Sequence, residues 1–202
     1  MARFFKKRTE NQGMPPGSLI FIGTQKVETP FIRYREYNKK ELTVEKALHI
    51  DELPQIKADK VQWYNVIGLH DAGLMESIRE RLNIHPLAME DVMNTGQRAK
   101  FEEFNDHLFV TLKMLRFDDK KLLVTTEQVS FIFNNDYLIT FQEELGDTFD
   151  PIRNRIEKAT GLIRNSGPDY LAYALIDTIV DNYIYLIESI GEKIDDLELK
   201  VL

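Results

Sequence analysis

The sequence predicts an α/β fold: a mixed sheet covered by helices and followed by a long acidic helix. Three observations carry that prediction. Short β-favouring runs are interspersed with two helical segments in the first hundred residues. Three consecutive β-rich runs follow, joined by turn-like residues in the pattern of an antiparallel meander. Helical composition then returns and holds to the last residue. One sheet with helices packed on it satisfies this order best.

Residues 19–23 and 31–36 are short β-favouring runs bounded by Pro and Gly, and residues 61–68 (VQWYNVIG) form the clearest early strand, with Trp63 expected in the core. Asp71 caps a helix that runs to Leu82, and Pro86, in the first turn of a second helix, introduces residues 87–93. The meander comprises residues 108–117, 123–134 and 137–142. A further helix is expected over residues 147–164, and the break Asn165-Ser166-Gly167-Pro168 precedes a last helix that starts near Asp169. That helix is about 51 Å long at 1.5 Å per residue, whereas a compact 200-residue domain has a radius of gyration of about 16 Å. It must therefore project beyond its own domain. Its apolar residues Ile176, Ile179, Tyr183, Leu186, Ile190, Ile194, Leu197 and Val201 recur every three or four positions, the spacing of a helix packed against other helices. No Gly, Pro or cap stops the pattern, so the chain is expected to end inside a longer helix at Leu202. The organisation expected is a basic flexible tail over 1–13, an α/β domain over 14–167 and the acidic helix over 168–202.

A chain of 202 residues that is 43% hydrophobic and 29% charged can bury one sizeable core without disulfides or a structural metal. The absence of Cys excludes a disulfide scaffold, a thiolate zinc site, an iron–sulfur cluster and a cysteine nucleophile. No uncharged apolar run reaches the roughly 20 residues that span a bilayer, since the richest segment, 170–190, carries Asp177, Asp181 and Glu188. The net charge of −7 is uneven: residues 1–50 carry +5, whereas the last 34 residues carry 8 acidic and 2 basic groups. That distribution argues against a nucleic-acid binder and towards a surface that attracts cations. The four His residues show no zinc-binding spacing. Phosphate-cradling Gly loops and a nucleophile elbow are also missing, so neither nucleotide binding nor nucleophilic catalysis is expected and the chain reads as a non-enzyme without a small-molecule substrate.

Two acidic constellations remain. On a wheel of about 100° per residue, Asp177, Asp181, Glu188, Glu192 and Asp195 share one stripe nearly opposite the apolar seam of the last helix. Cations, a basic partner or plain solvation must relieve their repulsion. The second constellation is Glu90 and Asp91, on the short helix after His85 and Pro86. Adjacent helical residues diverge by about 100°, so these two carboxylates more naturally serve two neighbouring sites than one ion. Hard oxygen donors without thiolate suit Mg²⁺ or Ca²⁺ rather than zinc or copper; taken alone, the pair is more simply read as part of an ordinary surface helix.

The segments 63–70 (WYNVIGLH), 84–92 (IHPLAMEDV) and 97–100 (QRAK), and the meander that follows, resemble the cytoplasmic domain of the CorA family of Mg²⁺/Co²⁺ channels. Further matches are 127–130 (EQVS), 141–143 (FQE), 147–153 (DTFDPIR), 169–181 (DYLAYALIDTIVD) and the N-terminal 15–19 (PPGSL). The resemblance is continuous from about Met14 to Leu202 and rests on order and spacing rather than on any one motif. It implies a three-layer α/β/α sandwich with a mixed, partly antiparallel sheet, followed by long acidic helices. It also implies a homopentamer at the cytoplasmic face of the cell membrane, anchored by C-terminal helices that these residues do not include. The position of Asp91 corresponds in the family to a regulatory divalent-ion ligand between protomers, and Glu90 and Asp177 to a second site beside it. Mg²⁺, with Co²⁺ as a second candidate, would be the regulatory ion, and feedback on channel opening the mechanism. The pore signature Gly-Met-Asn, both membrane helices and the helix that carries the partner Asp are absent from this sequence. The alternatives are the zinc-transporting branch of the same superfamily and a stand-alone acidic domain that docks a basic partner.

Overall fold

The computed structural model describes residues 13–118, 121–146 and 148–201, with the backbone alone for 200 and 201. The expected tail over residues 1–12, the helix start at Asp147 and the terminal Leu202 lie outside the described residues. The strands are β1 (Phe31–Tyr37), β2 (Leu42–Ala47), β3 (Val61–Ile67), β4 (Lys100–Glu103), β5 (Leu108–Asp118), β6 (Leu123–Phe133) and β7 (Tyr137–Gln142). The helices are α1 (Ala72–Arg81), α2 (Pro86–Met93), α3 (Asp150–Glu157) and α4 (Pro168–Val201).

All seven strands join one sheet in the order β2-β1-β3-β7-β6-β5-β4. Only the central β3–β7 pair is parallel; every other pair is antiparallel, which makes the sheet mixed. Side chains alternate between its faces. Ile32, Tyr34, Tyr64, Val66, Phe109, Ile132, Tyr137, Ile139 and Phe141 pack on one face with Met75 and Ile78 of α1 and Ala88, Met89, Val92 and Met93 of α2. Tyr37, Trp63, Met114, Val129, Phe131 and Leu138 pack on the other with Ile152 and Ile156 of α3 and Leu171, Leu175 and Ile179 of α4. The result is the α/β/α sandwich that the resemblance implies. Trp63 is fully buried, stacks edge-on against Phe149 at 6.3 Å and donates its indole N–H to Thr140 Oγ1 at 2.9 Å, so its one polar atom is satisfied.

The structure departs from the sequence-based expectation in four places. Residues 19–23 form no strand; Ile22 alone bridges to Asn94, with its N–H on the Met93 carbonyl and its carbonyl on the Thr95 N–H. The helix expected to Arg164 stops at Glu157, because Ala159 turns into the left-handed region (φ 52°) and the Thr160 N–H closes on the Arg155 carbonyl. The chain resumes only as a 3₁₀ turn over Ile163–Asn165. Strands β2 and β4 carry charged, exposed positions at the two sheet edges and showed no β signal. Finally, the apolar seam of α4 packs mainly on the sheet, against β3, β5, β6 and β7, with α3 beside it in the same layer. A broad apolar sheet face accepts the same 3.6-residue periodicity as a helical partner does. The seam leaves the sheet after Leu186, and Ile194 and Leu197 are half exposed.

Candidate functional site

α2 brings Glu90 and Asp91 together at the edge of the sandwich. His85 caps its start, accepting the Leu87 N–H at Nδ1 (3.3 Å), and Pro86 occupies the first turn, where a missing N–H costs nothing. Ala88, Met89, Val92 and Met93 are fully buried, which leaves Glu90 and Asp91 on the half-buried outer side. The C-terminal end of α2 is tied down from two directions. Gln128 of β6 donates to the carbonyls of Asp91 (3.3 Å) and Asn94 (3.0 Å), and the Lys113 ammonium of β5 donates to the Thr95 carbonyl (2.6 Å) and to Gln128 Oε1 (3.0 Å). Ile22 supplies the second clamp through its bridge to Asn94.

The two carboxylates do different work. Glu90 Oε2 accepts the Gly17 N–H at 2.7 Å and so pins the N-terminal segment against α2. Gly17 sits at φ 84°, and a Cβ there would meet Pro86 Cβ at 2.8 Å, which explains why glycine stands in the PPGSL segment. Asp91 is held by two side chains from the loop and strand that follow: Gln97 donates to Oδ1 and the Lys100 ammonium to Oδ2. Burial pushes the Asp91 carboxyl above its ordinary range, and the charges on Glu102 and Glu90 add to the shift although Lys100 opposes it. Its side chain keeps 17% of its surface exposed. Lys100 is shared, with its ammonium also 3.0 Å from Glu102 and 5.5 Å from the centre of the Phe109 ring.

Asp177 lies elsewhere. It is exposed on α4, in the layer across the sheet from α2, and makes no hydrogen bond or ion pair among the described residues. Asp181, Glu188, Glu192 and Asp195 are exposed along the same helix. Among the described residues no three His, Asp or Glu side chains gather into a cage. The donors present therefore fit a hard cation that keeps most of its waters and takes one or two carboxylates from each chain, and they do not fit a dehydrated all-protein site. Asp91 would hold such an ion by charge and by outer hydrogen bonds to its waters, and Glu90 would face a separate one. Sequence reading missed Lys100, Gln97 and Gln128. Lys100 follows Asp91 by nine residues and meets it only because β4 runs beside the end of α2, a tertiary fact with no local pattern.

The geometry is thus a mixed sheet between helical layers, with a carboxylate pair on the outer side of one short helix. Comparison with known proteins makes this specific: the family model of the CorA-like Mg²⁺ transporter proteins matches residues 58–201. The cobalt/magnesium transport protein CorA of Thermotoga maritima is 37% identical over 198 residues, which is 98% of this chain and 56% of that protein. The putative metal ion transporter YfjQ of Bacillus subtilis is 25% identical over 148 residues, 72% of this chain and 44% of that protein. The chain belongs to the CorA family, and it spans about half the length of these relatives. The fold agrees. The soluble domain of CorA from Methanocaldococcus jannaschii superposes with a TM-score of 0.64 at 15% identity, over 83% of this chain and 64% of that one. The ZntB cytoplasmic domain from Vibrio parahaemolyticus gives 0.60 at 13% identity, over 84% of this chain and 65% of that one.

Proposed function

We propose that this chain is the cytosolic divalent-cation-sensing region of a homopentameric CorA-type Mg²⁺/Co²⁺ transport channel. The observation that carries the reading is the 37% identity to a cobalt/magnesium transport protein over 98% of the chain, with an acidic pair on the surface of α2. Asp91 is the ligand of a regulatory ion between protomers, its partner carboxylate coming from the neighbour. Glu90 and Asp177 serve a second ion beside it. Their placement on opposite layers of one sandwich supports a site assembled from two copies, one presenting α2 and the other α4. With a divalent cation bound, the facing carboxylates are screened and the closed, symmetric assembly is favoured; without it they repel and the assembly loosens towards the open state. The domain lies on the cytoplasmic side of the membrane, and among the described residues no helix is long and apolar enough to cross it.

The Mg²⁺-dependent protease resistance of the whole protein tests this reading. Wild type becomes resistant as Mg²⁺ rises, and Asp91→Ala or Asp91→Lys shifts protection to higher Mg²⁺ or abolishes it. Unchanged protection in both variants would count against Asp91. The second reading is the zinc-transporting branch of the same superfamily; protection by Zn²⁺ but not by Mg²⁺ would select it.

A further inference from the structure

Asp91 is already paired with a cation belonging to its own chain. The Lys100 ammonium sits on Oδ2, at the position a divalent ion would approach, and Gln97 covers Oδ1. The ammonium is not committed to that carboxylate. Glu102, two residues along β4 and half exposed, takes the same nitrogen at 3.0 Å, and the Phe109 ring face lies 5.5 Å away. Lys100 therefore has a resting place beside Asp91 as well as on it. Its side chain is 28% exposed and that of Asp91 17%, so a hydrated ion can reach the pair from solvent.

We propose that Lys100 is a tethered competitor for the divalent-ion site: it neutralises Asp91 when cytosolic Mg²⁺ is low and swings onto Glu102 when the ion binds. This rests on the assignment of Asp91 as an ion ligand and adds the element that sets its threshold. An internal cation on Asp91 lowers the apparent affinity for any external one, because binding must first displace it. It also limits the low-Mg²⁺ repulsion that Asp91 itself contributes between protomers, leaving the exposed stripe on α4 to supply more of it. Glu102 matters in the opposite sense, since the arm leaves Asp91 more easily when it has a second carboxylate to go to.

The test is a Mg²⁺ titration of the 202-residue chain followed by amide NMR shifts at residues 90–100, with Asp91→Asn as the reference. Lys100→Met keeps the length and apolar stem of the arm and removes its charge. It is expected to tighten Mg²⁺ binding about two- to fivefold, the worth of one partly exposed ion pair. Glu102→Gln is expected to weaken it. The gain in Lys100→Met persists in about 0.5 M KCl, where the Debye length is about 4 Å and a diffuse field would be screened. Several outcomes overturn the proposal. If Asp91→Asn abolishes the shifts but Lys100→Met leaves the affinity unchanged or weaker, the ion site stands and the competitor does not. A gain that vanishes in high salt reduces Lys100 to a general field effect. Shifts that Asp91→Asn does not alter remove the Asp91 site and the competitor together, and no shift in either wild type or Lys100→Met overturns the competitor while leaving a site completed by a neighbouring copy. Shifts seen only in Lys100→Met support the competitor most strongly.

Discussion

At the scale of single residues, the molecule separates positions that hold the fold from positions that hold charge. Glu36 shows the first kind. It is 2% exposed, and burial alone would raise its carboxyl, but bonds from Gln62, Lys57, Lys60 and Tyr34 outweigh that and hold it at about 2. A carboxyl depressed in the folded state contributes stability above its unfolded pKa and loses it as pH falls. Acid unfolding between about pH 4.5 and 2 should therefore include a term on the order of 3 kcal/mol from Glu36. The dependence of stability on pH over that window should be shallower in Glu36→Gln, and an unaltered slope would contradict the assignment. Gly17 is the second case. Gly17→Ala forces a side chain into Pro86 at a positive φ, so it should cost about 1–2 kcal/mol and release the N-terminal segment, visible as faster proteolysis near residue 17. The candidate carboxylates themselves were legible as Glu90, Asp91 and Asp177, because adjacent acids on a helix and an acidic stripe are local patterns. What binds Asp91 was not, since Gln97 and Lys100 meet its carboxylate only where the folded sheet brings β4 beside the end of α2.

Elements follow the sequence where side-chain chemistry acts locally and depart from it where the partner decides. Asp71 accepts the Leu74 N–H at 3.0 Å and starts α1 as expected, and β5, β6 and β7 reproduce the meander to within a residue or two. The edge strands β2 and β4 were missed because each is short and mixes charged with apolar residues at its exposed positions, Val44 with Glu45 and Lys46 in one and Phe101 with Glu103 in the other. The segment with Ile22 had the composition of a strand but found a helix end instead of a sheet edge. Between elements, Gln128 is the main tie: it holds the end of α2 to β6 and receives Lys113 of β5, whose carbonyl in turn accepts the Tyr183 hydroxyl of α4. The α2 end, strands β6 and β5 and the long helix are thus joined by consecutive hydrogen bonds. Gln128→Leu takes one hydrogen bond each from the Asp91 and Asn94 carbonyls and the Lys113 ammonium, which keep the Asn94 N–H, the Gln97 N–H and the Thr95 carbonyl, and should cost about 1–2 kcal/mol, with hydrogen exchange accelerated at the end of α2 ahead of the rest. Uniform acceleration across the sheet would argue that the tie is not local.

The whole molecule joins a well-buried sandwich to a helix whose outer half carries acids and half-exposed apolar residues. Taken alone, the chain holds half of each proposed ion site, and we expect it to sediment as a monomer or a weak associate and to bind Mg²⁺ weakly by calorimetry. Tight stoichiometric binding would show instead that one chain completes a site. The α/β class and the family were legible from the order of motifs, but the way α4 is used was not. Its spacing announced a helical partner, and the sheet took that role first. The central claim is that a divalent ion sits beside Asp91 between protomers. Crystals of the whole protein grown with Co²⁺, measured at the cobalt absorption edge, test it most directly. We predict an anomalous peak near the Asp91 carboxylate at each protomer interface, lost in Asp91→Ala; cobalt peaks elsewhere with none beside Asp91 would contradict the account.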